Sequence, residues 1–206
     1  MRHQNYGQII AGYLKGRKIK FSDSKYLRPM RRILREALFS ALYSQVGDFE
    51  GLRVLDGFCG SGLIGLEFIS RGASFVDFVD SDSHNYQQFR DNITPFSEGI
   101  KDQFRFWHGK LSWMIQQAEE TAQWDVIWLD PPFAKIPRNE ILDLLREERG
   151  RFLVIHYEKD MKTAYQHLFD EVKDTYEWVY TREFGVSSIN ILAHKSASAE
   201  APVDGE

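Results

Sequence analysis

From Arg53 onward the chain alternates between two hydrophobic periods. Short apolar runs bounded by polar or turn residues predict strands at Arg53–Asp56, Phe75–Asp80, Phe104–His108, Val126–Asp130 and Phe152–His156. Between them, apolar residues at helical spacing predict helices near Leu63–Ser70, His84–Ile93, Ser112–Ala122, Arg138–Glu147 and Met161–Leu168. Such alternation predicts a parallel sheet covered on both faces. The pattern then changes: Glu171–Tyr180 and Val186–His194 read as successive strands around Arg182–Gly185. The expectation is an α/β fold whose mostly parallel seven-stranded sheet is closed by a C-terminal antiparallel hairpin.

The N-terminal part is organised differently. Gly7–Phe21 holds two short β-branched pieces around Gly12 and Gly16, which predicts a hairpin or a loose arm. A helix is expected to start near Pro29, since proline suits a first helical turn. Ile33, Leu34, Ala37, Leu38, Ala41 and Leu42 recur at helical spacing, and the helix should end before Gly47. The chain is therefore divided into an arm (residues 1–28), a main domain (29–195) and a small, polar tail (196–206) expected to be disordered. At 206 residues, one main domain with a full core is expected.

Composition narrows the function. No apolar run approaches the roughly 20 residues that span a bilayer, and the N-terminus lacks the apolar stretch of a signal peptide. A single cysteine, Cys59, precludes an internal disulfide, so a cytoplasmic location and no membrane role are expected. The six histidines show no metal-ligand spacing, and no metal is expected. The net charge of −4 is unevenly spread: residues 1–35 hold ten Lys/Arg and one acid, whereas the remainder holds 16 basic and 29 acidic residues. A basic arm on an acidic body fits either a polyanion-binding surface or a merely solvated face.

The first predicted strand runs into Asp56-Gly-Phe-Cys-Gly-Ser-Gly62, and Asp80 closes the second strand. Gly60, Gly62 and Gly65 satisfy the G-x-G-x-x-G spacing of dinucleotide-binding loops, with Asp80 placed for ribose hydroxyls. Asp56, however, would point a negative charge where a pyrophosphate should sit. A ligand with a cationic end and no phosphate fits better, namely S-adenosylmethionine. Backbone N–H groups at the Gly60–Gly62 turn could still meet its carboxylate at a helix N-terminus. Phe58 and Ser61 in this loop, and Ser81 beside Asp80, are counted with the cofactor-binding residues.

The fourth strand ends in Asp130-Pro131-Pro132-Phe133. In this kind of sheet that strand ends beside the loop after the first, at the edge where ligands bind. An exocyclic amine on a base is a poor nucleophile because its lone pair is delocalised. The Asp130 carboxylate and the Pro131 carbonyl can accept hydrogen bonds from such an amine, favouring the pyramidal form. Two prolines stiffen the loop and leave its carbonyls free to accept. Phe133 offers a stacking surface worth about 1–3 kcal/mol to a base. An NAD-dependent oxidoreductase and a catalytically silent RNA-binding module are the competing classes. Asp56 and the absence of a plausible hydride-transfer acid/base oppose the first, and the intact Asp130–Phe133 motif opposes the second.

With Ile9-Ile-Ala-Gly-Tyr-Leu-Lys-Gly-Arg-Lys-Ile19, Leu27-Arg-Pro29 and Arg35-Glu-Ala-Leu-Phe39 added to these motifs, the chain resembles the RsmD-type 16S rRNA guanine-N2 methyltransferases. The resemblance implies the Rossmann-like class I methyltransferase fold, S-adenosylmethionine as donor, and the N2 amine of a guanine in 16S rRNA as acceptor. It further implies a small ribosomal subunit or its assembly intermediate as partner, and a monomer is expected. Adenine N6 of DNA or RNA is the alternative acceptor. Asp56, Gly60 and Gly62 would line the methionine part of the donor, Asp80 its ribose, and Asp130–Phe133 the target base. Arg17, Lys18, Arg28 and Arg35 would contact RNA phosphates. Gly109-Lys110 stand where the family often has Gly-Asp, so a backbone contact is expected there in place of the carboxylate. Met30-Arg31-Arg32-Ile33 replace the family's polar stretch after Arg-Pro, so contacts from that stretch do not carry over.

Overall fold

The structure, a computed structural model, describes residues 6–21, 30–132 and 136–198. Pro29, Arg28, Phe133 and the tail from 199 onward lie outside the described residues, but the first helix starts at Arg32, after Arg31 in extended backbone, and so later than the expected start near Pro29.

Seven strands form one sheet: β3 (Arg53–Gly57), β4 (Phe75–Asp80), β5 (Phe104–His108), β6 (Trp124–Leu129), β7 (Gly150–Glu158), β8 (Tyr176–Phe184) and β9 (Ser187–His194). Their order is β5-β4-β3-β6-β7-β9-β8. Pairings from β5 to β7 are parallel, and β9 runs antiparallel to both of its neighbours. This is the Rossmann-like arrangement of class I methyltransferases. Strand order reverses between β3, which leads to β4 on one side, and β6 on the other. Ligands bind at the C-terminal ends of the strands at such a switch point.

Two apolar layers sandwich the sheet, because alternate residues of a strand face opposite sides. Val54, Val126 and Val154 face the helices α1 (Arg32–Val46), α2 (Leu63–Ser70) and α3 (Ser83–Ile93), where Leu38, Leu66, Phe68 and Phe89 are buried. Leu55, Ile127 and Leu153 face α4 (Leu111–Gln117), α5 (Arg138–Arg146) and α6 (Lys162–Asp170). None of the described helices is long and apolar enough to cross a membrane.

Most differences from expectation have local causes. Strand β6 ends at Leu129 rather than Asp130, because Pro131 has no N–H with which to continue the ladder. Helix α4 stops at Gln117 rather than Ala122: Ala118 turns to extended backbone, and the Glu119 carbonyl accepts a hydrogen bond from buried Arg149. Residues 171–175 form a turn instead of the start of a strand, pinned where the Tyr176 hydroxyl donates to the Gly150 carbonyl. Lys195–Ser198 form a helical turn that buries Ala197, so the expected disorder does not begin at residue 196. Helix α1 ends as expected, with Gly47 at φ +81° donating to the Tyr43 carbonyl.

The N-terminal piece is a docked hairpin, not a loose arm. Strands β1 (Tyr6–Gln8) and β2 (Lys18–Lys20) pair antiparallel, and Ile9, Leu14 and Ile19 are buried in the main core. Glu67 of α2, fully buried, accepts the N–H groups of Ile10 (2.8 Å) and Ala11 (3.0 Å) and pairs with Arg71 at 2.9 Å. Gly12 lies so close to α2 that a Cβ would sit 1.6 Å from the Ser70 carbonyl oxygen. Glu67→Ala would leave three donors without their acceptor, which should lower stability by about 3–5 kcal/mol. Thermal melts and limited proteolysis within residues 6–21 measure this. An unchanged melting temperature and a protease-resistant hairpin would show that Glu67 is not what holds the arm.

Candidate active site

Asp56 is the last apolar-flanked position before β3 gives way to its loop. It is 1% exposed, and the Gly65 N–H donates to its Oδ2 at 2.8 Å. Its Oδ1 has no hydrogen-bond partner among the described residues. Burial pushes this carboxyl up to about 8, against the pull of the Gly65 N–H, with the Asp130 and Asp80 carboxylates adding to the rise. A buried oxygen in this condition suits a cationic ligand group.

The loop that follows is shaped by left-handed residues: Phe58 at φ +62°, Gly60 at +55° and Gly62 at +77°. At Gly62 a Cβ would fall 2.4 Å from the Phe89 ring, so only glycine fits. The loop's own N–H groups correct one expectation. Gly60 donates to Asp80 Oδ2 at 2.8 Å and Gly62 to the Cys59 carbonyl, so neither N–H is turned to a ligand. One step on, α2 starts with no side-chain cap from its N-cap residue Gly62.

Asp80, 9% exposed, ties this edge together. Its Oδ2 accepts from Gly60 and from Asn85 Nδ2, while Oδ1 accepts from Asp82 N–H at 2.8 Å. Burial raises its pKa, and those three hydrogen bonds moderate the rise. The Gly109 N–H donates to the Asp80 backbone carbonyl at 3.0 Å, which brings Gly109 and exposed Lys110 to the same edge. Ser81 is exposed beside Asp80, Phe58 is half-buried, and the Ser61 carbonyl accepts from Asn92 Nδ2. His108 stacks on Tyr86, with ring centroids 4.9 Å apart. Among the described residues no group of three or more His, Cys, Asp or Glu could hold a metal ion.

Asp130 follows β6, and its N–H approaches the Gly57 carbonyl at 3.4 Å. The parallel pairing of Gly57 with Leu129 thus carries Asp130 to the end of β3, beside the Asp56 loop. Its side chain is about one-third exposed, Pro131 is buried and Pro132 is exposed. A residue that sequence reasoning missed completes the group: Nδ1 of His156, on β7, lies 2.8 Å from Asp130 Oδ1. A lone histidine in the apolar run Phe152–Ile155 was the available signal, but its register with Asp130 depends on how β6 and β7 pair.

The basic residues divide. Arg17 and Lys18 are exposed on the arm, and Arg17 lies over the Phe96 ring. Arg35 is 3% exposed and donates to the Met30 and Gln8 carbonyls, so it anchors the arm to α1 rather than meeting phosphate. Asn92 was likewise missed. Its Nδ2 donates to the carbonyls of Lys20 and Ser61, and its Oδ1 accepts from Lys20 N–H, so one buried amide links β2 to the glycine loop.

Comparison with known proteins identifies the family. The family model described as "Conserved hypothetical protein 95" matches residues 7–188. The chain is 31% identical over 155 residues to ribosomal RNA small subunit methyltransferase D of Buchnera aphidicola, covering 73% of this chain and 78% of that protein. It is also 31% identical over 157 residues to the protein of the same name from Haemophilus influenzae, covering 74% and 79%. The solved structure of yhhF from Escherichia coli superposes with a TM-score of 0.69 at 22% identity, covering 92% of this chain and 98% of that one. Identity above 30% across more than two thirds of the relatives' length, with a family match spanning arm and sheet, places the chain in the RsmD-type methyltransferase family.

Proposed function

We propose that this protein transfers a methyl group from S-adenosylmethionine to the exocyclic N2 amine of a guanine in 16S rRNA. The observation that carries the reading is the position of Asp130 against the end of β3, so that an acceptor amine and a methyl donor would share one sheet edge. The relatives' names supply the rRNA of the small subunit. The exposed Arg17 and Lys18 lie on the hairpin whose Lys20 is tied to the glycine loop by Asn92, and supply charge suited to a polyanion near that edge. The choice of guanine N2 rests on family resemblance.

When bound, the donor supplies a methyl group on a positively charged sulfur. Each residue then has a definite task. Asp56 Oδ1 would receive the donor's ammonium, the uncapped start of α2 its carboxylate, and Asp80 Oδ1 a ribose hydroxyl. Asp130 and the Pro131 carbonyl would accept the two N–H groups of the acceptor amine, drawing its lone pair out of the ring as the nitrogen takes on positive charge. Phe133 would stack on the base.

The test is direct. Purified protein with tritiated S-adenosylmethionine and undermethylated 30S subunits should label 16S rRNA, and mass spectrometry of digested rRNA should find N2-methylguanosine. N6-methyladenosine would reassign the acceptor to adenine. Absence of label on both 30S subunits and naked 16S rRNA would reject rRNA as the substrate.

A further inference from the structure

We propose that His156 is a positioning residue for Asp130, setting which carboxylate oxygen meets the acceptor amine and making transfer sensitive to the charge on the imidazole. This rests on the methyl-transfer reading above and adds a residue to it.

Asp130 lies one residue beyond β6 and just before Pro131, and its carboxylate is about one-third exposed. Alone, such a side chain would turn freely about its last torsion, which is broad for aspartate. His156 is the opposite case. It is 4% exposed, lies within β7, and is held in the sheet by its pairing with Ile189 of β9. Its ring lies nearly parallel to Trp128 at 12°. The 2.8 Å contact therefore fixes a mobile carboxylate to an immobile ring. With Asp130 ionised, Nδ1–H is the donor and Oδ1 is occupied, which leaves Oδ2 to face an amine. An interaction this short between partly charged groups both strengthens and directs the acceptor.

The same contact couples Asp130 to the charge on the imidazole. Burial alone would push the imidazole down, but the Asp130 carboxylate beside it, with Glu158 further along β7, carries it above its usual value. Asp130 also acts on Asp56 of β3 and on Tyr165 of α6, so these groups share its field. A neutral His156 leaves Asp130 with its full negative charge. An imidazolium offsets that charge while the attacking nitrogen is becoming positive. As the N–C bond forms and the S–C bond breaks, the amine must also release a proton, and an uncompensated Asp130 is the better partner at that stage. Turnover should therefore decline as pH falls through the His156 titration.

Two variants separate orientation from charge. His156→Ala removes both and should lower kcat about ten- to hundredfold, with the dissociation constant for the donor changed less than about twofold. His156→Asn places an amide N–H near the Nδ1 position without a titrating ring. It should recover kcat to within about threefold of wild type at high pH and lose the acid limb of the profile. Rates are measured at saturating donor, so that Asp56 does not enter. A wild-type kcat in His156→Ala, or an acid limb unchanged in His156→Asn, would overturn the proposal. If His156→Ala fails to fold, the profile of His156→Asn alone decides. NMR titration of the imidazole signal missing from His156→Asn tests the pair without any RNA. That signal should titrate lower in Asp130→Asn than in wild type, and an unmoved titration overturns the pairing. A wild type that labels no rRNA, yet shows the expected imidazole shift, would reject the substrate reading and leave the pair standing.

Discussion

Replacement of Asp130 by alanine should lower kcat for methyl transfer about 10²- to 10³-fold, the range seen when one preorganised charge-stabilising group is removed from an active site. Donor binding should survive. Asp130 does not lie in the Asp56–Gly62 loop, and its carboxylate contributes to the unfavourable field that pushes Asp56 up. Removing it relieves one source of that pressure, so the donor's dissociation constant should stay the same or fall slightly. Calorimetry with S-adenosylmethionine and single-turnover kinetics on rRNA separate the two effects. A parallel loss of donor affinity and rate would move Asp130 from the acceptor side of the site to the donor side. A rate within threefold of wild type would remove it from the chemistry.

The fold was legible because the hydrophobic periods were clean. Strands β4 and β5 and helix α2 occur over the predicted residues. What escaped sequence reasoning depends on pairing across the sheet or between layers. Glu67 is an acid within an otherwise apolar helix, Leu63–Ser70, which hinted at a buried partner but not that the partner would be the backbone of the arm. Asp77 is similar: a carboxylate at a core-facing position of β4, it accepts from the indoles of Trp107 and Trp124 and from Arg105. Trp107 and Trp124 are thus held by a buried acid. Arg35 shows the reverse error. Its place in a basic stretch suggested phosphate contact, while its helical phase beside Leu34 and Leu38 is what buries it. Charge counted along the chain does not distinguish an exposed cation from one bonded to carbonyls. His156 stood out as a lone histidine, but its meaning depends on the register of β7 against β6, which single-strand patterns do not contain.

The second large effect concerns Asp56, whose carboxyl titrates near 8 because burial disfavours its charge. The sign of the consequence follows from proton counting. Above the ordinary carboxylate value of 3.8 the unfolded chain has lost this proton, while the ligand-free native protein keeps it until about 8. Stability contributed by this group is therefore greatest at low pH and declines as pH rises from about 4 to about 8. A bound ammonium reverses the balance, because it needs the ionised form. Affinity for the donor should rise with pH by up to about tenfold per unit between pH 5.5 and 7, a range in which an α-ammonium remains charged. Asp56→Asn should abolish this dependence, bind the donor weakly at every pH, and raise the melting temperature of the ligand-free protein at pH 8 by about 5–10 °C. The amide can still accept from Gly65, so the loop should keep its shape. Calorimetry across that pH range and melts at pH 5 and pH 8 provide the measurements. A wild-type affinity that is flat with pH would mean that the donor's charge is met elsewhere. A destabilised Asp56→Asn would mean that the buried carboxyl supports the fold instead of being held in it at a cost for binding.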